Sequence, residues 1–64
     1  MLIGDNIRRI AEKKGMTIYQ VMKKSNISIA YMYDLANNKQ KNPSLDILKK
    51  IARALDVSIE ELVN

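Results

Sequence analysis

The sequence predicts a compact all-α domain built from five short helices. Apolar residues recur at helical spacing, no segment alternates as a strand would, and serine, threonine, asparagine and glycine separate the apolar segments. With 64 residues, the chain is expected to form a single domain over residues 1–64. Because it contains neither cysteine nor histidine, disulfides and histidine- or thiolate-bound metals are excluded, and the fold must rest on its aliphatic core.

The first predicted helix runs from about Ile3 to Lys14. Gly15 follows two lysines, which is typical of a left-handed residue that ends a helix after cations in its last turn. The apolar residues of this helix fall on one face and are expected to be buried: Ile3, Ile7, Ile10 and Ala11.

The second and third predicted helices are short and are joined by a tight turn. Thr17 and Gln20 fit a capping box at the start of the second helix, and Val21 is expected in the core. Asn26 tolerates a positive φ and is predicted to end that helix. Ser28 is the predicted N-cap of the third helix.

The third predicted helix, over about residues 29–37, has two unlike faces. An exposed isoleucine and tyrosine add nothing to the core of so short a helix, so we interpret their face as a binding surface. Alternatively, Tyr31 and Tyr33 are half-buried residues at the rim of the core. The predicted buried stripe consists of Met32, Leu35 and Ala36, and the opposite face carries Ile29, Ala30, Tyr33 and Asn37.

The last two predicted helices follow a polar loop with two lysines. Ser44 is the predicted N-cap of the fourth helix, which Asp56 ends. Ser58 and Glu61 fit a second capping box, which opens a fifth helix that ends near Val63. The fourth helix is predicted to supply the largest core face through Leu45, Leu48, Ile51, Ala52 and Leu55.

The positive charge is concentrated in the first two thirds of the chain. Residues 1–43 contain eight Lys or Arg and three acidic residues, a net charge of +5. Residues 44–64 contain three Lys or Arg and four acidic residues, a net charge of −1. The resulting net charge of +4 suits a polyanionic partner. Solubility alone is the alternative explanation of this basic balance.

Composition also bears on location and activity. The N-terminal Met-Leu-Ile is too short for a signal peptide and no apolar run approaches about 18 residues, so a bacterial chain of this kind is expected to be cytoplasmic, without a membrane segment. The chain has no histidine and no cysteine, and no paired carboxylates are expected to converge on a cleft, which argues against an enzyme. No cofactor, metal or small-molecule substrate is expected.

One pattern covers essentially the whole chain: Gly15-Met16-Thr17, Val21, Ile27-Ser28, Met32, Leu35, Asn37 and the segment NPSLDILKKIARALDVSIEEL. This pattern resembles the phage repressor and Cro-like helix-turn-helix domains, also called the Xre family. The resemblance implies a lambda-repressor-like five-helix bundle whose helices 2 and 3, about residues 17–37, form the helix-turn-helix. It further implies a bacterial or phage transcriptional regulator, a repressor, that inserts helix 3 into the major groove of double-stranded DNA and is nucleoid-associated when bound. A homodimer through residues 57–64 on a near-palindromic operator is expected from the same resemblance.

Two groups of DNA-contacting residues are predicted on that basis. Ile29 and Ala30 have no polar side-chain group and are expected to meet thymine methyl groups. Asp34 either accepts from a cytosine amino group or faces a lysine of helix 2. The predicted base-reading residues are Ser28, Ile29, Ala30, Tyr33 and Asp34, and the predicted phosphate-contacting residues are Thr17, Tyr31, Asn37, Lys39 and Lys41. Lys13, Lys14, Lys23 and Lys24 are interpreted as solvated, and Arg8 and Arg9 receive no assignment.

The chain departs from the family pattern at three places. Ile18 stands where a phosphate-binding glutamine is common, and Asn38 stands where a glycine is usual. Ala11 and Ala36 occupy positions that in many members hold an arginine–glutamate ion pair. We predict that these two alanines touch. Because the glutamine at position 18 is missing and the third helix is apolar, a protein-interaction module, or an antitoxin component using the Ile29 and Tyr33 face, is the alternative function.

Overall fold

The computed structural model describes residues 2–64, which contain five α-helices and no strand. The all-α prediction is therefore confirmed, with helix bounds close to those expected. The helices are α1 (Ile3–Lys13), α2 (Ile18–Ser25), α3 (Ile29–Ala36), α4 (Leu45–Leu55) and α5 (Ile59–Val63). None of these helices is long and apolar enough to cross a membrane.

A hydroxyl side chain begins each of the last four helices. Thr17, Ser28, Ser44 and Ser58 each accept a hydrogen bond from the backbone N–H three residues later, at 3.1 to 3.3 Å. Both predicted capping boxes are complete, because Gln20 and Glu61 accept in return from the backbone N–H of Thr17 and Ser58. These bonds satisfy N–H groups that have no partner within the helix, and so fix where each helix starts.

A left-handed residue follows each of the first four helices. As predicted, Gly15 and Asn26 have positive φ angles, of 69° and 57°. Asn38, in the place of the usual glycine, has a φ of 61°, and Asp56 has a φ of 56°. After α3, the N–H of Asn38 donates to the carbonyl of Leu35 and the N–H of Lys39 to that of Asp34. This pair of bonds uses two of the last carbonyls of the helix and turns the chain sharply away.

The core lies where α4 packs on α2 and where α1 packs on both α3 and α5. Predicted core residues Ile7, Val21, Met32, Leu35, Ile51 and Leu55 are almost fully buried, together with Leu62. Ile18 packs against this cluster, which accounts for an apolar residue at the start of α2. Ala11 and Ala36 are both buried on the neighbouring helices α1 and α3, and their direct contact stays a prediction.

The predicted core position of Leu45 is wrong, since 57% of that residue is exposed. At 3.6 residues per turn, Leu45 lies about 120° around the helix from the buried Ile51, whereas Ala54 lies only about 60° from it. Ala54 is accordingly buried. The core face of α4 is therefore rotated toward Ala54, and Leu45 lies beside the core at the first turn.

Asn6 is a polar residue in the centre of the fold, which the sequence did not indicate. It is fully buried, and its Nδ2 donates to the backbone carbonyl of Leu62 at 2.9 Å. Its Oδ1 is also buried and has no hydrogen-bond partner within residues 2–64. Asn6 thus ties α1 to the last turn of α5 and satisfies a carbonyl that the short helix leaves free.

Candidate nucleic-acid interface

The outer side of α3 forms one continuous exposed surface. Ile29 is 48% exposed and Tyr33 is 38% exposed, although both are large apolar side chains. At 3.6 residues per turn, the exposed residues of this helix and its C-cap span an arc of about 140°. We call this surface the exposed α3 face; it consists of Ile29, Ala30, Tyr33, Asp34 and Asn37. Four of the five predicted base-reading residues thus share one face.

The fifth predicted base-reading residue, Ser28, lies at the N-terminal end of α3. Its hydroxyl oxygen accepts from the backbone N–H of Tyr31 at 3.2 Å, so the hydroxyl hydrogen is free to donate to a ligand. Thr17 is arranged in the same way at the start of α2, where its oxygen accepts from Gln20. Both hydroxyls are exposed, and they keep a donor available while they cap their helices.

Tyr31 lies apart from the exposed α3 face. It is half-buried and packs against the core, as the rim interpretation expected. Tyr31 also lines a shallow groove between α3 and α4, together with Ile47 and Lys50. The predicted phosphate contact of Tyr31 would therefore occur at a different edge of the domain from that of Asn37. Lys50, which the sequence analysis did not single out, lies at that same edge.

The loop after α3 holds the predicted phosphate-contacting lysines. Lys39 and Lys41 are both exposed. The backbone N–H groups of Lys39 and Gln40 both donate to the carbonyl of Asp34, at 2.8 and 3.0 Å. Because these bonds fix the start of the loop to the last turn of α3, the backbone of Lys39 has a defined position relative to the exposed α3 face.

Arg8 of α1 reaches the C-terminal end of α3, an interaction that the sequence analysis missed. Its Nε donates to the carbonyl of Ala36 at 2.9 Å, and its Nη2 donates to Oδ1 of Asn37. A cation at the negative end of a helix is favourable. No spacing within the sequence signals this contact, because it depends on how α1 and α3 pack.

Asn38 extends the connection between α1 and α3. Its Oδ1 accepts from the backbone N–H of Gly4 at 3.0 Å, and its Nδ2 donates to Oδ1 of Asp5 at 2.9 Å. Together with the Arg8 bonds, these contacts form the α1–α3 clamp, made of Gly4, Asp5, Arg8, Asn37 and Asn38. The clamp fixes the end of the exposed α3 face to α1 through polar groups rather than through an ion pair.

A second exposed aromatic residue lies on α2. Tyr19 is as exposed as Ile29, and Nζ of Lys23 lies 5.7 Å from the centre of its ring. That separation is within the range of a cation–π contact. Tyr19 carried no predicted role. Lys23, interpreted as a solvated lysine, is therefore partly held by an aromatic neighbour.

Metal coordination finds no support in the described part of the chain. No group of three or more histidine, cysteine, aspartate or glutamate residues between residues 2 and 64 is arranged to hold an ion. The chemistry available on the exposed α3 face consists of apolar contact, hydroxyl and amide donors, and one carboxylate.

In this five-helix domain, α2, a tight turn and α3 form one unit, and α3 presents its outer face to solvent. This arrangement defines the helix-turn-helix class. The model of the Cro/C1-type HTH DNA-binding domain matches residues 6–64, and the chain belongs to that family. This membership confirms the Cro-like resemblance and the lambda-repressor-like fold expected from the sequence.

Individual relatives agree with the family match. The chain is 32% identical over 63 residues to the HTH-type transcriptional regulator SinR of Bacillus licheniformis, covering 98% of this chain and 57% of that protein. It is 32% identical over 63 residues to the immunity repressor protein of Bacillus phage phi105, covering 98% of this chain and 43% of that protein. The chain therefore spans about half the length of these curated relatives.

A solved structure with the same fold includes DNA. The crystal structure of SinR, the master regulator for biofilm formation, in complex with DNA superposes with a TM-score of 0.92. The two chains are 30% identical, and the match covers 98% of this chain and 100% of that chain.

Proposed function

We propose that residues 1–64 form a single DNA-binding domain of a transcriptional repressor, which inserts α3 into the major groove of double-stranded DNA. The exposed α3 face carries this proposal, because it places large apolar side chains in solvent where they contribute nothing to the core. Family membership and the likeness to a DNA-bound relative support the same function.

The proposed base contacts follow from the chemistry of the exposed α3 face. Ile29 and Ala30 have only apolar side-chain atoms, and the thymine methyl group is the apolar feature of the major groove. The Tyr33 hydroxyl can donate or accept, and Ser28 retains a free donor. Asp34 accepts from a cytosine amino group or faces a cation. Because the face lacks arginine and glutamine, we expect DNA shape to supply part of the specificity.

The proposed phosphate contacts surround this face. Asn37 stands at its C-terminal end, and the exposed Lys39 and Lys41 follow in a loop fixed to α3. Thr17 presents a hydroxyl at the start of α2, and Tyr31 and Lys50 line the groove between α3 and α4. Such contacts supply affinity and register without reading sequence.

We further propose that two copies bind a near-palindromic operator through an interface in residues 57–64. Val63 is 46% exposed, whereas Ile59 packs on the core, so Val63 is the apolar residue of α5 that is available to a partner. The domain extends 23 Å along its longest axis, less than the roughly 34 Å between half-sites one DNA turn apart. In a dimer with contacting subunits, each α3 must therefore lie on the outer side of its subunit.

Salt-titrated binding to a mixed-sequence duplex tests the DNA-binding function. We expect affinity to fall steeply as salt rises, because phosphate contacts release counterions. The alternative, a protein-interaction module or antitoxin component that docks a protein on Ile29 and Tyr33, predicts no binding to the duplex even at low salt. Sedimentation of the wild type and of Val63→Glu, with and without DNA, tests the proposed interface.

A further inference from the structure

We propose that Arg8 is a positioning residue, which holds the side-chain amide of Asn37 so that its Nδ2 donor meets a DNA phosphate. This inference rests on the DNA-binding function proposed above and assigns a role to a residue that does not itself lie on the exposed α3 face. The observation behind this inference is that one guanidinium bonds to two consecutive residues at the end of α3, through Nε and Nη2 of Arg8.

The two bonds differ in what they fix. The bond from Nε to the carbonyl of Ala36 holds the guanidinium against the backbone at the end of α3. Because the guanidinium is planar and its N–H groups are fixed in a fork, the position of Nη2 follows from that of Nε. The bond from Nη2 to Oδ1 of Asn37 then holds the amide of an exposed residue, which would otherwise rotate in solvent.

The orientation of the amide follows from donor and acceptor chemistry. A guanidinium has only donors, so the atom of Asn37 that faces Arg8 must be the oxygen. With Oδ1 occupied, the group left to meet a ligand is the Nδ2 amino group, which is a donor. A phosphate oxygen only accepts, so Arg8 selects the amide orientation that a phosphate requires. Without Arg8, the amide is free to present its oxygen to the phosphate instead.

Electrostatics at the same place adds to this effect. The C-terminal end of a helix carries roughly half a negative charge, which repels an approaching phosphate. The Arg8 guanidinium bonds to the carbonyl of Ala36, the last residue of α3, and offsets that charge. A loss of binding on removing Arg8 therefore has two parts, one from charge and one from the orientation of Asn37, and the test must separate them.

Arg9 provides the matched control for the charge. It is the next residue, it is also exposed, and it carries the same charge. It lies on the cleft between α1 and α5, where Asp56, Glu60 and Glu61 form part of the wall. Arg9→Ala therefore removes one positive charge from α1 without removing a hydrogen bond to α3.

The test measures binding to a mixed-sequence duplex of twenty base pairs by fluorescence anisotropy, at several salt concentrations. The variants are Arg8→Ala, Arg9→Ala, Asn37→Ala and the double variant Arg8→Ala/Asn37→Ala. We expect Arg8→Ala to weaken binding about five- to tenfold more than Arg9→Ala, the scale of one lost hydrogen bond of ordinary strength. The loss caused by Arg9→Ala measures the effect of removing one positive charge. Once that charge effect is subtracted, the double variant should bind about as well as Asn37→Ala.

Two further measurements separate positioning from a merely structural role. Asn37→Asp keeps an acceptor for Arg8 but removes the donor, so it should retain thermal stability and still lose duplex binding. In the free protein, NMR relaxation should show a rigid Asn37 side-chain amide in the wild type and in Arg9→Ala. The same amide should be mobile in Arg8→Ala. If Arg8→Ala does not fold, Arg8→Lys against Arg9→Lys repeats the comparison with the charge kept.

The outcomes are distinguishable. Equal losses for the Arg8 and Arg9 variants, additive losses in the double variant, or unimpaired binding by Asn37→Asp would overturn the role of Arg8 and leave the DNA-binding function intact. A wild-type protein that does not bind the duplex at low salt would overturn the proposed function and the role of Arg8 with it.

Discussion

The backbone N–H of Gly4 donates to Oδ1 of Asn38 at 3.0 Å, which joins the first turn of α1 to the residue that turns the chain after α3. Such an approach leaves no room for a side chain. A Cβ atom at position 4 would lie 2.3 Å from the carbonyl oxygen of Leu35 and 2.4 Å from Oδ1 of Asn38. Two effects therefore compete in Gly4→Ala, because alanine favours a helix by about 1 kcal/mol over glycine.

We expect the clash to win, because one of the two atoms belongs to the backbone and cannot move aside cheaply. Gly4→Ala should lower the free energy of unfolding by about 1–3 kcal/mol, measured by urea denaturation. Gly15→Ala is the matched control: no atom lies within 4 Å of its Cβ position, so only the strain of its φ of 69° applies. A Gly4→Ala variant as stable as the wild type would show that α1 shifts freely relative to α3.

Asn6 offers a test of the buried polar contact between α1 and α5. Asn6→Ala leaves the carbonyl of Leu62 without its 2.9 Å partner and opens space in the core. We expect a loss of about 2–4 kcal/mol in the free energy of unfolding, measured by urea denaturation. Asn42→Ala, at an exposed loop position, should change it by less than about 0.5 kcal/mol. Similar small effects at both positions would mean that water replaces the lost partner.

Asp56 should be replaceable with a gain in stability. Its φ of 56° favours glycine, and its carboxylate stands at the negative end of α4. Asp56→Gly should raise the free energy of unfolding by about 0.5–1 kcal/mol, seen as an increase of a few degrees in Tm. Asp56→Ala removes the same charge but keeps a Cβ, so the difference between the two variants isolates the backbone effect. An alanine variant as stable as the glycine variant would contradict a strained backbone.

Lys39 and Lys41 should contribute to DNA binding without regard to sequence. Replacing either lysine by alanine should weaken binding to an operator and to a random duplex by the same factor. It should also reduce the slope of log affinity against log salt concentration by about one. Lys13, on the cleft between α1 and α5, serves as the control lysine. Anisotropy titrations over a series of salt concentrations measure both quantities. A loss confined to the operator would assign the loop lysines to base recognition instead.

Tyr33 should behave differently from the loop lysines. Since it stands in the middle of the exposed α3 face, Tyr33→Ala should alter which sequences are preferred and leave binding to random DNA nearly unchanged. Selection from random duplexes, followed by sequencing, measures the preference of each variant and also gives half-site sequence and spacing. Equal losses on selected and random DNA would place Tyr33 on the phosphate backbone.

Local chemistry accounts for the parts of the fold that the sequence predicted well. The N-cap residues Thr17, Ser28, Ser44 and Ser58, and the left-handed Gly15 and Asn26, act on backbone groups within a few positions, so their patterns are visible in the chain. The exposed α3 face was visible for the same reason, since helical spacing alone separates Ile29 and Tyr33 from Met32 and Leu35.

The features that were missed depend on how the helices are placed against one another. Helical spacing does not fix the rotation of α4 about its axis, so it predicts a buried Leu45, whereas Ala54 is the residue that the structure buries. Arg8 and Asn6 meet partners 28 and 56 positions away, and nothing near either residue marks the partner. The sequence predicts phosphate contacts for both Tyr31 and Asn37, and only the packing of α4 shows that Tyr31 faces a different edge of the domain.

The α1–α3 clamp and the capping hydroxyls hold the domain together, and of the exposed α3 face only the side chain of Asn37 takes part in the clamp. Substitutions at exposed positions of this kind usually change stability by less than about 0.5 kcal/mol, so Ile29, Ala30 and Tyr33 can vary while the scaffold persists. Ser28, which precedes this face, differs from these three residues because its hydroxyl caps α3, and such a cap contributes about 1 kcal/mol. Under the DNA-binding function proposed above, the scaffold is suited to retargeting, since a new DNA preference would require changes only at exposed positions that folding does not use.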